Sequence, residues 1–278
     1  MNLNLLESII YGLISGLTEI LPVSGQAHRN LMLQLLGESG ENPLLSILIH
    51  IGVLGALYYH CQNHILRMIR AQKLSRIPKR KRKRPLDVRS LMDLSLLKTM
   101  AIPVMIGLLV YSRAQVLSSK RILASVLLFI NGIILYVPQF LPGSNRDSRT
   151  LSRVEGLCMG AGGAFSVLPG ISPMGAVTSV ASVCGVDKRY GFDMTCLLCM
   201  ILMVGRIIYN VFALIAAGMG GVSFLTLVGY ILAGAAAFGT ALLALRLLRR
   251  LAAERGFAVF AYYCWGMALF TFILYLAT

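Results

Sequence analysis

Apolar residues run along this chain in long continuous blocks, and polar residues gather in short clusters between them. Six blocks, roughly 43–60, 94–112, 122–141, 191–217, 222–245 and 257–277, can cross ~30 Å of hydrocarbon at ~1.5 Å per residue. They predict six transmembrane helices. Two further apolar stretches, 3–37 and 154–184, are interrupted midway by helix-breaking residues. The first break is Leu21-Pro22-Val23-Ser24-Gly25 and the second is Leu168-Pro169-Gly170-Ile171-Ser172-Pro173. Short apolar halves around a Pro/Gly break fit re-entrant helical hairpins, which dip into a membrane and return.

The charged clusters orient these segments. Residues 61–93 carry Arg67, Arg70, Lys73, Arg76, the unbroken run Lys79 to Arg84, and Arg89, against Asp87 and Asp93. Basic loops stay on the cytoplasmic side, so 61–93 is expected there. Threading onward places Arg146, Arg149, Arg153, Lys188, Arg189, Arg246, Arg249, Arg250 and Arg255 inside, with Arg113, Lys120 and Arg121 outside. That assignment requires 154–184 to leave and re-enter on the cytoplasmic face and 3–37 to dip in from the other, with both termini extracytoplasmic. The expected architecture is an all-α polytopic membrane protein, a single integral domain over 1–278. It has six transmembrane helices plus two oppositely inserted re-entrant hairpins, the outline of an inverted-topology repeat.

Composition agrees. Hydrophobic residues make up 57% and charged residues 13%, where a soluble domain carries about 25% charge, which excludes a soluble enzyme. The net charge of +15 is topogenic on this reading, so no nucleic-acid partner is expected. Cys196 and Cys199 form C-x-x-C inside a helix with no second pair nearby, a pattern read as packing by default, with zinc or redox chemistry the lesser alternative. No basic region or small-residue cleavage site marks a cleaved signal peptide at the N-terminus.

A helix that begins inside a membrane exposes unpaired N–H groups and a positive dipole end, which an anion satisfies well. Ser24 is an expected N-cap for a half-helix over 25–36, and Ser172 for one over 173–184. Two such ends converging would hold a phosphate; alternatively each serine only caps its own helix. Glu19 and His28 flank the first break, and ionisable groups at membrane depth face a cavity or a partner. A carboxylate there suits a divalent cation, and a histidine suits acid, base or nucleophilic work; the two could equally satisfy each other. His50 and Asn131 suit hydrogen bonds between helices. Arg206 lies deep in its span and faces the interior, as a phosphate ligand or as a salt-bridge partner of Asp193, Glu7 or a helix C-terminus.

At these residues the chain resembles the undecaprenyl-pyrophosphate phosphatase family of bacterial inner-membrane enzymes. Residues 16–28, GLTEILPVSGQAH, are similar to the family's EGLTEFLPVSSTGH, and 169–175, PGISPMG, to its PGxSRSG. Supporting similarity runs through IHIGVLGAL (49–57), AIPVMIGLL (101–109) and GVDKRYGFDMTCLL (185–198).

The resemblance implies a phosphatase acting on undecaprenyl diphosphate in lipid-carrier recycling for cell-wall synthesis. It implies a site open to the outside of the bacterial inner membrane, and a divalent cation, Mg²⁺ or Ca²⁺. Carried over by position, Glu19 and His28 are the candidate catalytic residues, with Glu19 also the candidate metal ligand. Ser24, Gly25, Gly170 and Ser172 are candidate phosphate-binding residues, joined by Arg206 from the reading above. The expected partners are a polyprenyl phosphate lipid and membrane lipids, with homodimerisation left open. The chain departs from the pattern at Ser15, where the family has glutamate, and at Gly25 and Gln26, where it has serine and threonine. Pro173 and Met174 stand where the family has arginine and serine. The scaffold is retained while charge has left the motif positions, so a catalytically silent relative that binds or translocates a lipid phosphate is the alternative expectation, and an unrelated membrane function on the same fold a third.

Overall fold

The computed structural model describes residues 3–38, 40–118, 121–143, 145–217, 223–254 and 257–277. Among the described residues eleven α-helices follow one another: α1 (Leu5–Ile20), α2 (Gly25–Leu35), α3 (Pro43–Ser75), α4 (Val88–Leu109), α5 (Tyr111–Ser118), α6 (Arg121–Tyr136), α7 (Arg153–Phe165), α8 (Pro173–Val183), α9 (Lys188–Ala217), α10 (Phe224–Glu254) and α11 (Val259–Ala277). Six are long and apolar enough to cross a membrane: α3, α4, α6 with the turn that follows it, α9, α10 and α11. The protein is a multi-pass membrane protein, with large side chains such as Phe212, Leu243 and Leu269 turned outward where lipid would cover them. Lys120 and Arg255, which sequence reasoning assigned to particular sides, lie outside the described residues.

Each interrupted stretch is two short helices joined at its break. In the first, α1 packs along α10, with Gly12 and Gly16 against the backbone of Ala233 and Ala237. In the second, α7 packs on α4 and α8 against α9. Both ends of the second pair come back to one end of the bundle. There the Asp187 N–H donates to Arg146 O at 2.9 Å, Ser148 Oγ donates to Asp93 at 2.5 Å, and Tyr190 OH donates to the same Asp93 oxygen at 2.9 Å.

The loop expected over 61–93 is shorter than its charge suggested. Helix α3 continues through Arg67, Arg70 and Lys73 to Ser75, because no proline or glycine intervenes before Pro78 and Leu, Arg, Lys and Gln all favour helix. Non-helical backbone is confined to the turn between Arg76 and Asp87.

Near that end, outside the six spans, Arg146 donates to both oxygens of Glu155 at 2.5 and 3.0 Å, and the Ser152 N–H donates to Glu155 at 2.7 Å. The Arg146 hydrogen bonds, then those from Ser152, lower the Glu155 pKa from 4.5 to about 2. A depressed carboxyl pKa contributes stability that is complete above the unfolded value and disappears as pH falls through the folded one. Arg146→Ala should therefore lower Tm at neutral pH, and its difference from wild type should shrink between pH 4.5 and pH 2. A difference that is flat across that window, in thermal melts in detergent, would remove the pair from the stability account.

Candidate functional site

The two breaks meet inside the protein. The Gly170 N–H donates to Ser24 Oγ at 3.2 Å, and Ser172 Oγ lies 3.5 Å from Leu21 O. Asn131 of α6 ties them together, its Nδ2 donating to Pro22 O at 2.9 Å while its Oδ1 accepts from the Ser172 N–H at 2.9 Å. Sequence reasoning gave Asn131 a helix-to-helix bond, and its Nδ2 does lie 3.3 Å from Cys264 Sγ of α11, but it also serves the backbone of both breaks. Gly170 has φ +119°, and a Cβ there would stand 2.6 Å from Leu127 Cβ, so only glycine fits this turn.

Ser172 caps α8 as expected, accepting from the Gly175 N–H at 3.3 Å, with Pro173 in the first turn. Ser24 does not cap α2. It occupies the N-cap position at φ +67°, where its hydroxyl makes no cap hydrogen bond and accepts from the Gly170 N–H instead. Both serines are buried and engaged with backbone.

Glu19, the last buried polar residue of α1, sits beside this junction. Its Oε1 accepts from Arg29 of α2 and, at 3.1 Å, from Arg206 of α9; its Oε2 accepts from Arg206 at 2.9 Å. Sequence reasoning offered Arg206 as a phosphate ligand or as a salt-bridge partner of Asp193, Glu7 or a helix C-terminus. The structure pairs it with Glu19, because α9 runs past the first break at the depth of the carboxylate. Arg206 also lies over the Tyr111 ring, 5.9 Å from its centroid. Arg29 Nε is 3.4 Å from Glu41, which accepts from Tyr11 OH at 3.0 Å. Glu19, Arg29 and Arg206 are each no more than 3% exposed.

Arg29 is the residue that sequence reasoning missed. It immediately follows the motif histidine in a short polar helix, and the cost of an ionisable group at membrane depth was the signal that could have found it.

Room for Glu19 comes from Gly25. A Cβ at that position would stand 2.8 Å from Glu19 Cδ and Oε1 and 2.9 Å from Glu19 Cα. The serine of the family pattern would displace the carboxylate as it stands here. Gly25→Ser should therefore destabilise the protein by ~1–3 kcal/mol, as overpacking does, measured as a lowered Tm in detergent. An unchanged melt would mean that Glu19 is placed by its arginines alone.

His28 is turned elsewhere. Its Nδ1 donates to Ser24 O at 2.9 Å, which leaves Nε2 to accept from Tyr263 OH of α11 at 2.8 Å. The Glu19–His28 contact offered by sequence reasoning is therefore replaced by separate partners for each. His50 Nδ1 donates within its own helix to Ser46 O at 2.6 Å, and its buried Nε2 has no hydrogen-bond partner among the described residues.

A cavity of about 520 Å³ opens beside the cluster. Arg29, Gln26, Glu41, Tyr111, Tyr209 and Asn210 are among its walls, and Glu19 and Arg206 lie one contact behind Arg29 and Tyr111. Among the described residues, Nε of Arg29 and Nε of Arg206 are buried without a hydrogen-bond acceptor. Unsatisfied buried donors of positive charge beside a polar cavity suit an anion. A divalent cation fits poorly. Both Glu19 oxygens already accept from guanidinium groups, and no cluster of three or more His, Cys, Asp or Glu side chains is placed to hold a metal among the described residues.

Similarity to known proteins covers almost the whole chain. The family model described as bacitracin resistance protein BacA matches residues 8–270. An undecaprenyl-diphosphatase of Methanobrevibacter smithii is 28% identical over 278 residues, 98% of each chain. One of Sinorhizobium medicae is 30% identical over 263 residues, 93% of this chain and 92% of that one, and one of Desulfatibacillum aliphaticivorans is 29% identical over 266. With helices, breaks and buried charge in the same order as the motifs, this chain belongs to the bacitracin resistance protein BacA family.

Proposed function

We propose that this protein is a polyprenyl-diphosphate phosphatase that removes the terminal phosphate of undecaprenyl diphosphate during recycling of the lipid carrier. It acts in the bacterial inner membrane, through a cavity facing outward, with the α1–α2 and α7–α8 pairs inserted as re-entrant hairpins from opposite faces. Family membership and relatives called undecaprenyl-diphosphatase support the substrate. The observation that carries the chemistry is the buried Arg29–Glu19–Arg206 cluster, with its unsatisfied N–H groups, beside a polar cavity.

Diphosphate entering the cavity meets Arg29 first. Its terminal phosphate takes up guanidinium N–H groups now donated to Glu19, and planar guanidinium groups suit the oxygens of a phosphoryl group. The freed Glu19 carboxylate accepts a proton from an attacking water. The water oxygen bonds to the terminal phosphorus, the bridging P–O bond breaks, and the lipid monophosphate leaves with the bridging oxygen. Stabilising the equatorial oxygens during this step is the main catalytic need, and two arginines meet it. His28, bound to Ser24 O and Tyr263, positions the first turn of α2 and with it Arg29.

A second reading, a silent relative that binds lipid phosphate without cleaving it, draws on Pro173 and Met174, both buried where the family pattern has arginine and serine. Phosphate release from undecaprenyl diphosphate by the purified protein separates the two. Release is expected, and it should survive chelation with EDTA because the donor set does not suit a resident cation. Tight lipid-diphosphate binding with no release under any metal condition would establish the silent reading.

A further inference from the structure

A second concavity lies on the flank of the bundle toward its basic end, apart from the cavity beside Arg29. It is a groove of about 630 Å³ between α3, α4 and α9. Leu54, Ile69, Leu97, Leu197, Met200 and Val204 make it apolar along its length, while Gln72, Lys73 and Arg76 close one end. From Leu54 to Ile69, α3 rises roughly 22 Å at ~1.5 Å per residue, which matches one leaflet of a bilayer ~40–45 Å thick with its headgroups. Lys73 and Arg76 are exposed, and neither is ion-paired among the described residues.

We propose that this groove binds one anionic phospholipid of the surrounding bilayer, its acyl chain along α3 and its phosphate between Lys73 and Arg76. Two observations select that occupant. The apolar length ends in two cations, as a chain joined to a negative headgroup requires, and basic pockets between membrane helices favour anionic lipids. A second copy of the chain is the wrong partner, because it carries the same net charge of +15 and would bring another basic cluster to the same end. A neutral phospholipid would leave the two cations without net compensation.

The experiment uses full-length protein in nanodiscs of phosphatidylcholine with a minor fraction of phosphatidylglycerol, released and weighed by native mass spectrometry. Wild type should retain phosphatidylglycerol well above its share of the bilayer. The double variant Lys73→Glu/Arg76→Glu should lose about tenfold or more of that enrichment, since each cation near a lipid surface contributes on the order of 1 kcal/mol. Arg80→Glu/Lys81→Glu, two equal charge reversals in the turn that do not line the groove, should keep it. Met200→Trp, which fills the apolar part, should displace the retained lipid while leaving Lys73 and Arg76 in place. Equal losses from both charge-reversed pairs would mean a diffuse basic surface and overturn the groove. So would retention of both lipids in proportion to the bilayer, or a dimer free of retained lipid.

Discussion

Glu19→Gln is expected to cost the protein ~3–5 kcal/mol, the range for breaking a buried ion pair by removing one partner. Glu19 is the acceptor shared by Arg29 and Arg206, and both guanidinium groups are buried. The amide can accept through one oxygen only and carries no charge, so Arg206 would lose its carboxylate and Arg29 would keep Glu41 alone. For a chain of this size the loss corresponds to a fall in Tm on the order of 6–20 °C. Phosphate release should disappear with it, since the proposed proton acceptor is gone. A further measurement separates charge balance from general damage. Inorganic pyrophosphate should raise the Tm of Glu19→Gln more than that of wild type, because the variant leaves Arg206 without a carboxylate and Arg29 with Glu41 alone. Pyrophosphate shifts that are equal in the two proteins would detach the cluster from phosphate recognition.

Arg206→Ala is expected to lower phosphate release by ~10³-fold or more, the scale seen when a guanidinium that stabilises a phosphoryl-transfer transition state is lost. The variant keeps one neutralising partner for Glu19 in Arg29, so its fold should suffer less than that of Glu19→Gln. Arg206→Lys tests geometry against charge. Lysine restores a cation but not the planar fork that now donates to both Glu19 oxygens, so stability should recover further than activity does. The double variant Glu19→Gln/Arg206→Ala closes the cycle. If the cluster serves only to hold helices together, removing both partners should restore much of the lost Tm and leave pyrophosphate binding as it was. On the proposed function the double variant regains Tm yet loses the added pyrophosphate stabilisation expected of Glu19→Gln.

The six spans, the two breaks and the depth of Glu19 and Arg206 were legible because lipid leaves coarse marks: apolar length, helix-breaking Pro and Gly, and rare ionisable residues. What the pattern could not give is who meets whom. Glu19 and Arg206 are 187 positions apart, and Ser24 and Gly170 are 146 apart. No local periodicity links such pairs. Ser24 looked like a cap because serine before a helix usually is one, but a long-range N–H competed for its hydroxyl and won. Arg29 escaped notice because it lies in a short polar half-helix between the motif histidine and the chain's next apolar run. Its burial exists only once α1, α3 and α9 close around it.

The meeting of the two breaks has a consequence for synthesis. The Leu21 and Pro22 carbonyls and the Ser24 hydroxyl find their partners in Ser172, Asn131 and Gly170, which follow by 151, 109 and 146 positions. At ~5–20 residues per second, the first break exists for roughly 5–30 s before those partners have been translated. Over that interval its carbonyls cannot remain bare in hydrocarbon, where each would cost several kcal/mol. The first helix pair must therefore wait at a hydrated interface or beside the insertion machinery and reach its final depth only when α6 and the second pair arrive. Truncated chains ending before α6 should accordingly leave Ser24 open to aqueous thiol labelling when it is replaced by cysteine, and full-length chains should close it.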